Sequence, residues 1–339
     1  MKAIVLVEPG QFRIEERPVP EAGPGEALIK VRAAGICGSD LHGYRGSQPF
    51  MTFPRVMGHE FSGEIAAFGP GYEGPFKVGD AVVVDPVVNC GHCYACRTGN
   101  HNVCRTVEVL GVHRDGAFTE YLAVRTDRIH RMPEGMDFVT AALVEPLSIG
   151  AEANRRAATR DGDRVAIIGA GPIGLVSLLI AKTMDTQVII TDMVPSRLEL
   201  AKQLGADRVV NVAEEDPVEA VMEFTDNEGA SAVIEAVGLE ATIRQSIEMV
   251  APSGRIAMLG LSKGDLKLPA SELIKKGVDF HGSRLNCNQF PVVLELLEQG
   301  KFDPTPLISK EYHFTEMEKA MEDFDKHPDQ VTKVILTFD

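Results

Sequence analysis

Short apolar or alternating runs, separated by glycine and proline, fill the first 130 residues of the chain. Segments 27–32, 63–68, 81–85 and 119–124 have the length and patterning that are typical of β-strands, and the N-terminal run KAIVLV predicts another. Helical periodicity is scarce in this part of the sequence. The pattern therefore predicts a β-rich N-terminal domain, with expected bounds 1–147.

The pattern changes near residue 138. Residues 138–157 predict a largely helical segment that is interrupted at Pro146. From residue 164 onward, strand-like runs such as RVAIIG and QVIITD alternate with helical runs such as PIGLVSLLIAKTM. This alternation is typical of a doubly wound parallel sheet. We expect an α/β domain at 148–286, and we expect segment 287–339, which ends in the strand-like VTKVILTF, to rejoin the first domain.

Length, charge and hydropathy limit the classes of protein to which the chain can belong. A chain of 339 residues commonly folds as two domains. It has 34 Lys and Arg residues against 49 Asp and Glu residues, a net charge of −15, and so acidic a surface repels nucleic acid and anionic membranes. No apolar run reaches the length of about 18 residues that a transmembrane helix needs. We expect a cytoplasmic protein that acts on small molecules, with neither nucleic acid nor membrane as a partner.

A glycine-rich turn points to a dinucleotide. Residues 169–174 read Gly-Ala-Gly-Pro-Ile-Gly, follow an apolar strand and open a helix. In that context Gly169 allows the tight turn, Gly171 the approach of a pyrophosphate and Gly174 the packing of helix on strand. The next strand ends at Asp192, which can bind ribose hydroxyls and would repel a 2′-phosphate, and Arg197 is a candidate cover for the adenine. The pattern predicts NAD rather than NADP, although a similar turn also occurs in doubly wound folds that bind no cofactor.

Four of the six cysteines lie in one loop: Cys90, Cys93, Cys96 and Cys104. Clustering of this kind favours a metal site over disulfides. Four thiolates at these spacings suit a tetrahedral zinc ion with a structural role, because no coordination position is left for a substrate. An iron–sulfur cluster and plain reduced cysteines remain open on the spacing alone.

Several motifs together resemble those of the zinc-dependent medium-chain alcohol dehydrogenase family, in its polyol and sugar dehydrogenase branch. They are GICGSDLH at 35–42, GHEFSGEI at 58–65, CGHCYACRTGNHNVC at 90–104, GAFTEYLAV at 116–124, LVEPLSIG at 143–150 and GAGPIG at 169–174. The resemblance covers essentially the whole chain. It implies a GroES-like catalytic domain, a Rossmann NAD-binding domain and two zinc ions per chain, one catalytic and one structural.

The resemblance also implies a role for individual residues. The residues at the catalytic zinc would be Cys37, His59, Glu60 and Glu145. It leaves open which of the two glutamates is the resting ligand. Asp40 would orient His59.

A proton relay is implied as well, in which Ser39 takes the proton of the substrate hydroxyl and His42 delivers it to solvent by way of the nicotinamide ribose. Contacts to the cofactor are implied, beyond the glycines, Asp192 and Arg197, for Pro172, Ile173, Val237, Leu259, Gly260, Leu261, Ser283 and Arg284.

Within that branch, the chain resembles the L-gulonate and L-galactonate 5-dehydrogenases and the related starvation-sensing proteins. The segments concerned are 46–60, 110–124, 145–157 and 282–290. The likeness implies oxidation of the C5 hydroxyl of a hexonate to a keto-uronate such as D-fructuronate or D-tagaturonate, and Arg55 and Arg114 are candidate contacts for the substrate carboxylate.

Alternatives remain at this stage: a sorbitol-like polyol dehydrogenase, an L-threonine dehydrogenase and, more remotely, a non-catalytic redox-sensing protein. The resemblance further implies a homodimer or homotetramer assembled through the edge strand of the NAD-binding domain.

Overall fold

The computed structural model describes residues 1–261 and 265–339 and divides the chain into two compact units. The first unit comprises Met1–Glu145 and Leu307–Asp339, and the second comprises Pro146–Pro306. The chain therefore leaves the first unit close to the expected position 147. It rejoins that unit at Leu307 rather than at 287, because segment 287–306 clusters with the second unit. None of the helices in the described residues is both long and apolar enough to span a membrane.

The N-terminal part of the first unit is mostly β-structure, as the pattern predicts. Its strands are β1 (Lys2–Glu8), β2 (Gln11–Glu16), β3 (Glu26–Ile36), β4 (Arg55–Val56), β5 (Glu60–Phe68), β6 (Ala81–Val84), β7 (Val87–Val88), β8 (Glu108–Val109), β9 (Tyr121–Arg125) and β10 (Ile129–Arg131). Its helices are α1 (Gly38–Tyr44), α2 (Tyr94–Arg97) and α3 (Phe138–Ala141), with 3-10 turns at His101–Val103 and Thr126–Arg128.

Helix α4 (Val144–Arg156) continues through Pro146, contrary to the expected interruption there. A proline is tolerated in the first turn of a helix, since the backbone N–H that it lacks would have no intrahelical partner at that position. The break falls instead between the end of α3 and the start of α4.

Strands and helices alternate through the second unit. They are β11 (Arg164–Ile168), α5 (Pro172–Ala181), β12 (Gln187–Asp192), α6 (Pro195–Gln203), β13 (Arg208–Asn211), α7 (Pro217–Phe224), β14 (Ala230–Glu235), α8 (Glu240–Met249), β15 (Val250–Met258), α9 (Ala270–Lys276), β16 (Asp279–Gly282) and α10 (Phe290–Glu298). All neighbouring strands are parallel, in the order β13-β12-β11-β14-β15-β16. The order reverses between β11 and β14, which is where open α/β sheets bind their ligands.

The C-terminal segment completes the first unit. It contains β17 (Ile308–His313), α11 (Met317–Lys326) and β18 (Lys333–Thr337), with 3-10 turns at Thr305–Leu307 and Phe314–Glu316. β17 and β18 extend a seven-stranded sheet in the order β10-β6-β5-β3-β18-β17, with β9 also paired to β3. Apolar side chains from both parts of the unit share one core, which includes Ile4, Phe61, Phe118 and Leu336. Segment 287–339 thus rejoins the first domain through its last 33 residues, Leu307–Asp339.

Candidate active site

The first candidate group lies where β3 ends and α1 begins. Cys37 is the residue before α1, and its backbone N–H donates to Oδ2 of Asp40 at 2.9 Å, which fixes the start of this short helix. The Ser39 hydroxyl is buried and, among the described residues, has no hydrogen-bond partner. On the exposed side of the helix, Nδ1 of His42 lies 3.1 Å from Oγ of Ser47.

The start of β5 brings His59 and Glu60 to Cys37. The ligand atoms of these three residues all lie within 4.8 Å of one another. Gly58 precedes them with φ +93°, and a Cβ at this position would lie 2.5 Å from the Phe118 ring. Glycine is therefore required at this close approach. Three of the predicted zinc ligands are thus assembled by packing within the first unit.

Asp40 lies beside His59, as predicted, but at 3.8 Å between Oδ1 and Nδ1, which is beyond hydrogen-bond distance. Both atoms are buried and have no hydrogen-bond partner among the described residues. Burial lowers the pKa of His59, but the neighbouring Asp40 and Cys37 more than reverse this and raise the pKa well above its usual value. Burial also raises the pKa of Asp40. Buried polar atoms without hydrogen-bond partners and buried ionisable groups with raised pKa values fit a site that holds a cation.

Lys333 belongs to this group, although the sequence reasoning missed it. Its Nζ lies 2.7 Å from both carboxylate oxygens of Glu60 and 3.3 Å from the carbonyl oxygen of Ile36. Strand pairing explains the contact, since β18 pairs with β3 next to Ile36 and β3 pairs with β5 at Glu60. The one available signal was a lysine inside the apolar run VTKVILTF, where a buried charge needs a partner.

Glu145 lies in the first turn of α4 and is buried. Burial is the main cause that raises its pKa to about 8, and the Glu60 carboxylate adds to it, while His59 and Lys333 oppose it. The electrostatic coupling places Glu145 near the Cys37–His59–Glu60 group, which combines thiolate, imidazole and carboxylate, a donor set suited to zinc. Whether Glu60 or Glu145 is the resting ligand stays a prediction.

The four loop cysteines form a second candidate metal centre. All are free thiols, and their sulfur atoms lie together within 4.8 Å. The sulfur–sulfur distances are 3.5 Å for Cys93–Cys96 and Cys90–Cys104, 3.8 Å for Cys93–Cys104 and 4.0 Å for Cys90–Cys96. A tetrahedron with Zn–S bonds of about 2.3 Å has sulfur atoms about 3.8 Å apart. The loop therefore fits one closed zinc ion, and the backbone N–H of Arg105 is the largest of the contacts that lower the pKa of Cys93 to about 6.

The second unit holds the candidate cofactor site. A cavity of about 800 Å³ is lined by Gly169, Gly171, Asp192, Arg197 and Val237, among others. A Cβ on Gly171 would have no atom within 4 Å, so backbone is bare where a pyrophosphate has to approach. Helix α5 begins directly after Gly171, with Pro172 and Ile173 as its first two residues. The free N–H groups at the start of this helix therefore face the position of the pyrophosphate.

Gly174 and Asp192 shape the same site. A Cβ on Gly174 would lie 1.8 Å from the carbonyl oxygen of Gly169, so only glycine lets helix α5 pack on the turn. The carboxylate of Asp192 accepts hydrogen bonds from the backbone N–H groups of Ala170 at 2.7 Å and Val194 at 2.9 Å. These bonds hold the Asp192 carboxylate at the edge of the cavity, where it can accept hydrogen bonds from ribose hydroxyls.

Glu235 holds two further loops of this unit, and the sequence reasoning missed it too. Its buried carboxylate accepts from the N–H groups of Val237 at 3.0 Å and Gly238 at 2.8 Å, and its backbone oxygen accepts from Leu259 at 2.8 Å and Gly260 at 3.2 Å. The predicted contacts Val237, Leu259 and Gly260 are therefore ordered by one residue. Leu261 beyond them is exposed, and the buried Ser283 hydroxyl has no partner among the described residues. No described contact tests Arg284 as a cofactor residue.

The two candidate substrate arginines have partners elsewhere. Nη1 of Arg55 lies 3.3 Å from Asp115 and its Nη2 lies 2.9 Å from the Thr52 hydroxyl. Arg114 forms an exposed ion pair with Glu108 at 2.7 Å. The described contacts do not bring either arginine to the Cys37–His59–Glu60 group, so their role in binding substrate stays a prediction.

Two family models match the chain. One, the alcohol dehydrogenase GroES-like domain, matches residues 23–134, and the other, zinc-binding dehydrogenase, matches residues 172–299. The chain belongs to the zinc-dependent medium-chain alcohol dehydrogenase family. Membership confirms the predicted fold class, a GroES-like domain with a Rossmann domain, and the predicted enzyme class, an NAD-dependent zinc oxidoreductase.

Relatives of this dehydrogenase have different names, although their sequence identities to this chain are similar. RspB of Escherichia coli K12, called a starvation-sensing protein, is 38% identical over 341 residues, which cover 100% of this chain and 99% of RspB. Sorbitol dehydrogenase of Bacillus subtilis is 36% identical over 342 residues (99% and 97%), and L-galactonate-5-dehydrogenase of E. coli K12 is 36% identical over 341 residues (100% and 99%). The crystal structure of rspB from E. coli CFT073 with NADH matches with a TM-score of 0.94, 38% identity and coverage of 100% and 99%. The chain is thus a dehydrogenase of the polyol and sugar type.

Proposed function

We propose that this dehydrogenase oxidises the C5 hydroxyl of a hexonate, L-gulonate or L-galactonate, with NAD⁺ and yields a keto-uronate. The observation that carries the oxidation itself is the largely buried group of Cys37, His59 and Glu60, together with the Ser39 hydroxyl two residues after Cys37, which has no hydrogen-bond partner among the described residues. The choice of a hexonate is supported by the likeness to L-galactonate-5-dehydrogenase along the whole chain.

Residues of the first unit would have separate roles in the reaction: they hold zinc, accept the substrate proton and release it to solvent. Zinc, held by Cys37, His59 and a glutamate, would supply the Lewis acidity that lowers the pKa of a substrate hydroxyl. Ser39 accepts the hydroxyl proton, since its own hydroxyl has no other described partner. His42, on the exposed side of α1, releases the proton to solvent.

The second unit binds and orients the nicotinamide cofactor, which accepts the hydride. The bare backbone at Gly171 and the start of α5 bind the pyrophosphate. Asp192 binds the adenosine ribose and disfavours a 2′-phosphate. We therefore expect NAD⁺ to be preferred over NADP⁺ when both are offered at equal concentration. As a homo-oligomer, dimer or tetramer, the protein would assemble through an edge strand of the six-stranded sheet, for which β16 is the candidate.

A neutral polyol is the second candidate substrate, and a specific observation favours it. A hexonate carboxylate calls for a cationic partner, but Arg55 and Arg114 already pair with Asp115 and Glu108. Sorbitol needs no such partner, and the sorbitol dehydrogenase relative is as similar as the galactonate enzyme.

A substrate panel tests the proposal. NADH formation is followed with L-gulonate, L-galactonate, sorbitol and L-threonine at equal concentrations, using zinc-loaded enzyme and enzyme dialysed against a chelator. We expect the highest kcat/KM with a hexonate and loss of turnover after prolonged chelation. Higher kcat/KM with sorbitol would replace the hexonate by a polyol, and turnover that survives removal of both zinc ions would exclude the zinc mechanism.

The arginine contact is tested separately with Arg55→Ala. If Arg55 binds the carboxylate, KM for the hexonate rises at least tenfold while KM for NAD⁺ stays the same. Lys326→Ala, in an exposed ion pair on α11, is the control for an unspecific loss of charge. An unchanged hexonate KM would remove Arg55 from the substrate site.

A further inference from the structure

A largely buried arginine, Arg128, connects the cysteine loop to the β-sheet of the first unit. This residue ends the 3-10 turn before β10, and its side chain is only 12% exposed. Its backbone oxygen accepts from the N–H of Asp85 at 2.9 Å, and its Nη1 lies 3.3 Å from the carboxylate of Asp85, itself 5% exposed. The guanidinium is thus fixed by the sheet and presents its remaining N–H groups to the loop.

Those N–H groups reach the loop at both of its ends. Nη2 of Arg128 donates to the side-chain oxygen of Asn89, the residue before Cys90. Nη1 lies 3.4 Å from Nε2 of His101, in the turn that precedes Cys104. One planar side chain therefore fixes the positions at which the chain enters and leaves the metal loop, a geometry that a lysine, with a single nitrogen, cannot reproduce.

Asn89 connects Arg128 to a sulfur atom of the cysteine loop. Its oxygen accepts from Arg128, which leaves the amide N–H₂ to donate to Sγ of Cys96 at 3.4 Å. Further N–H groups that donate to loop sulfurs, among them those of Cys90, Cys93, Arg105 and Thr106, belong to the backbone. Four thiolates around one Zn²⁺ leave a net charge of −2, so each N–H donor stabilises the loaded site.

We infer that Arg128 and Asn89 are positioning residues of the structural zinc site, in which Arg128 orients Asn89 so that its amide donates to the Cys96 thiolate and thereby slows the loss of zinc. The inference concerns retention of the metal and does not depend on the substrate of the enzyme. Residues that orient metal ligands in this way typically contribute a factor of about 10 to 100 in metal affinity.

Three substitutions separate the two halves of this arrangement. Asn89→Ala removes the amide. Asn89→Asp keeps an oxygen for Arg128 but has no N–H for Cys96 and places a carboxylate beside the thiolate. Arg128→Gln removes the contact to both ends of the loop. Arg131→Gln is the matched control, because Arg131 lies on β10, pairs with Asp80 and makes no described contact with the loop.

The measurement resolves the individual cysteines. Zinc-loaded enzyme is incubated with a chelator and iodoacetamide, and alkylation of each cysteine peptide is followed over time by mass spectrometry. Zinc loss exposes the four loop thiols, whereas the peptide of the buried Cys287 reports whether the second unit is intact, and far-UV circular dichroism reports whether the first unit keeps its β-structure. We expect Asn89→Ala, Asn89→Asp and Arg128→Gln to speed alkylation of the loop peptides at least tenfold, with the Cys287 peptide unchanged and Arg131→Gln within twofold of the parent enzyme.

Two results would overturn the inference. If Asn89→Asp retains the slow alkylation of the parent, the amide N–H does not hold Cys96. If Arg131→Gln speeds alkylation as much as Arg128→Gln, the effect is a general loosening of β10. Should Arg128→Gln fail to fold, Asn89→Asp still decides the question, because it preserves the contact with Arg128.

Discussion

The buried pair of Lys333 and Glu60 gives a sharp prediction for Lys333→Met. The Nζ atom lies 2.7 Å from both carboxylate oxygens, and the two side chains are 5% and 1% exposed. At an effective dielectric constant of about 20, opposite unit charges at this distance attract by about 6 kcal/mol. Desolvation offsets much of this, but removal of one partner leaves a buried carboxylate without its counter-charge, which costs about 3–5 kcal/mol.

The assay is urea unfolding followed by far-UV circular dichroism, since the chain has no tryptophan to report by fluorescence. We expect Lys333→Met to lower the free energy of unfolding of the metal-free protein by about 3–5 kcal/mol. The matched control is Lys326→Met, which breaks the exposed pair with Glu322 and should cost less than about 1 kcal/mol. The double variant Lys333→Met with Glu60→Gln should recover most of the loss, because neither member of the pair is left as an unpaired buried charge.

Zinc loading refines the expectation. A cation beside Glu60 takes over part of the role of the lost lysine, so the loaded protein should lose less stability than the metal-free one. By linkage, Lys333→Met then binds the catalytic zinc more tightly than the parent enzyme. A loss below about 1 kcal/mol in metal-free protein, equal to that of Lys326→Met, would show that Glu60 is not held as a buried anion.

Three further predictions concern the two sites. Ser39→Ala should lower kcat for alcohol oxidation by about 10²–10⁴ at unchanged zinc content, measured as NADH formation and by metal analysis; a kcat within threefold would exclude the relay. Gly171→Ala should fold normally and weaken NAD⁺ binding in calorimetry, whereas Gly174→Ala should lower the melting temperature, and the reverse order would contradict the packing. The neighbouring Asp40 and Cys37 raise the pKa of His59 well above its usual value against the effect of burial, and burial raises that of Glu145 to about 8; zinc binding near neutral pH should therefore release protons in an indicator titration, and binding without proton release would refute this.

Local motifs predicted much of the fold and of both metal groups, because each motif combines a turn, a cap or a ligand spacing within a few residues. The alternation of strands and helices after residue 164 and the turn at Gly169–Gly174 are of this kind, since a Cβ on Gly174 collides with a residue only five positions earlier. Cys37 and Asp40 likewise meet through the backbone of one short helix.

Contacts that depend on strand order could not be read in this way. Lys333 reaches Glu60 across 273 positions, and it does so only because β18 inserts next to β3 in the seven-stranded sheet. The same holds for Arg128 and Asn89, which are 39 positions apart and meet because β10 pairs with β6. For Lys333 the signal in the sequence was a cation at an apolar strand, and that signal does not name its partner. Arg128 precedes a strand that contains a histidine and an arginine, so it offered no comparable signal.

The charge of the catalytic group shows why a cation belongs there although the chain as a whole is acidic. Four groups that can be anionic are gathered in the interior of the first unit: Cys37, Asp40, Glu60 and Glu145. Burial raises the pKa values of Asp40 and Glu145, and Asp40 and Cys37 raise that of His59 against the effect of burial, so bound protons compensate the negative charge of the metal-free group. When zinc displaces these protons, His59 is neutral and the four anions face one buried lysine and the metal ion. A divalent ion brings the group to within one unit charge of neutrality. The same burial that makes the metal-free group costly therefore makes zinc binding favourable, and neutralisation by Zn²⁺ is what allows four acidic groups to share one buried site.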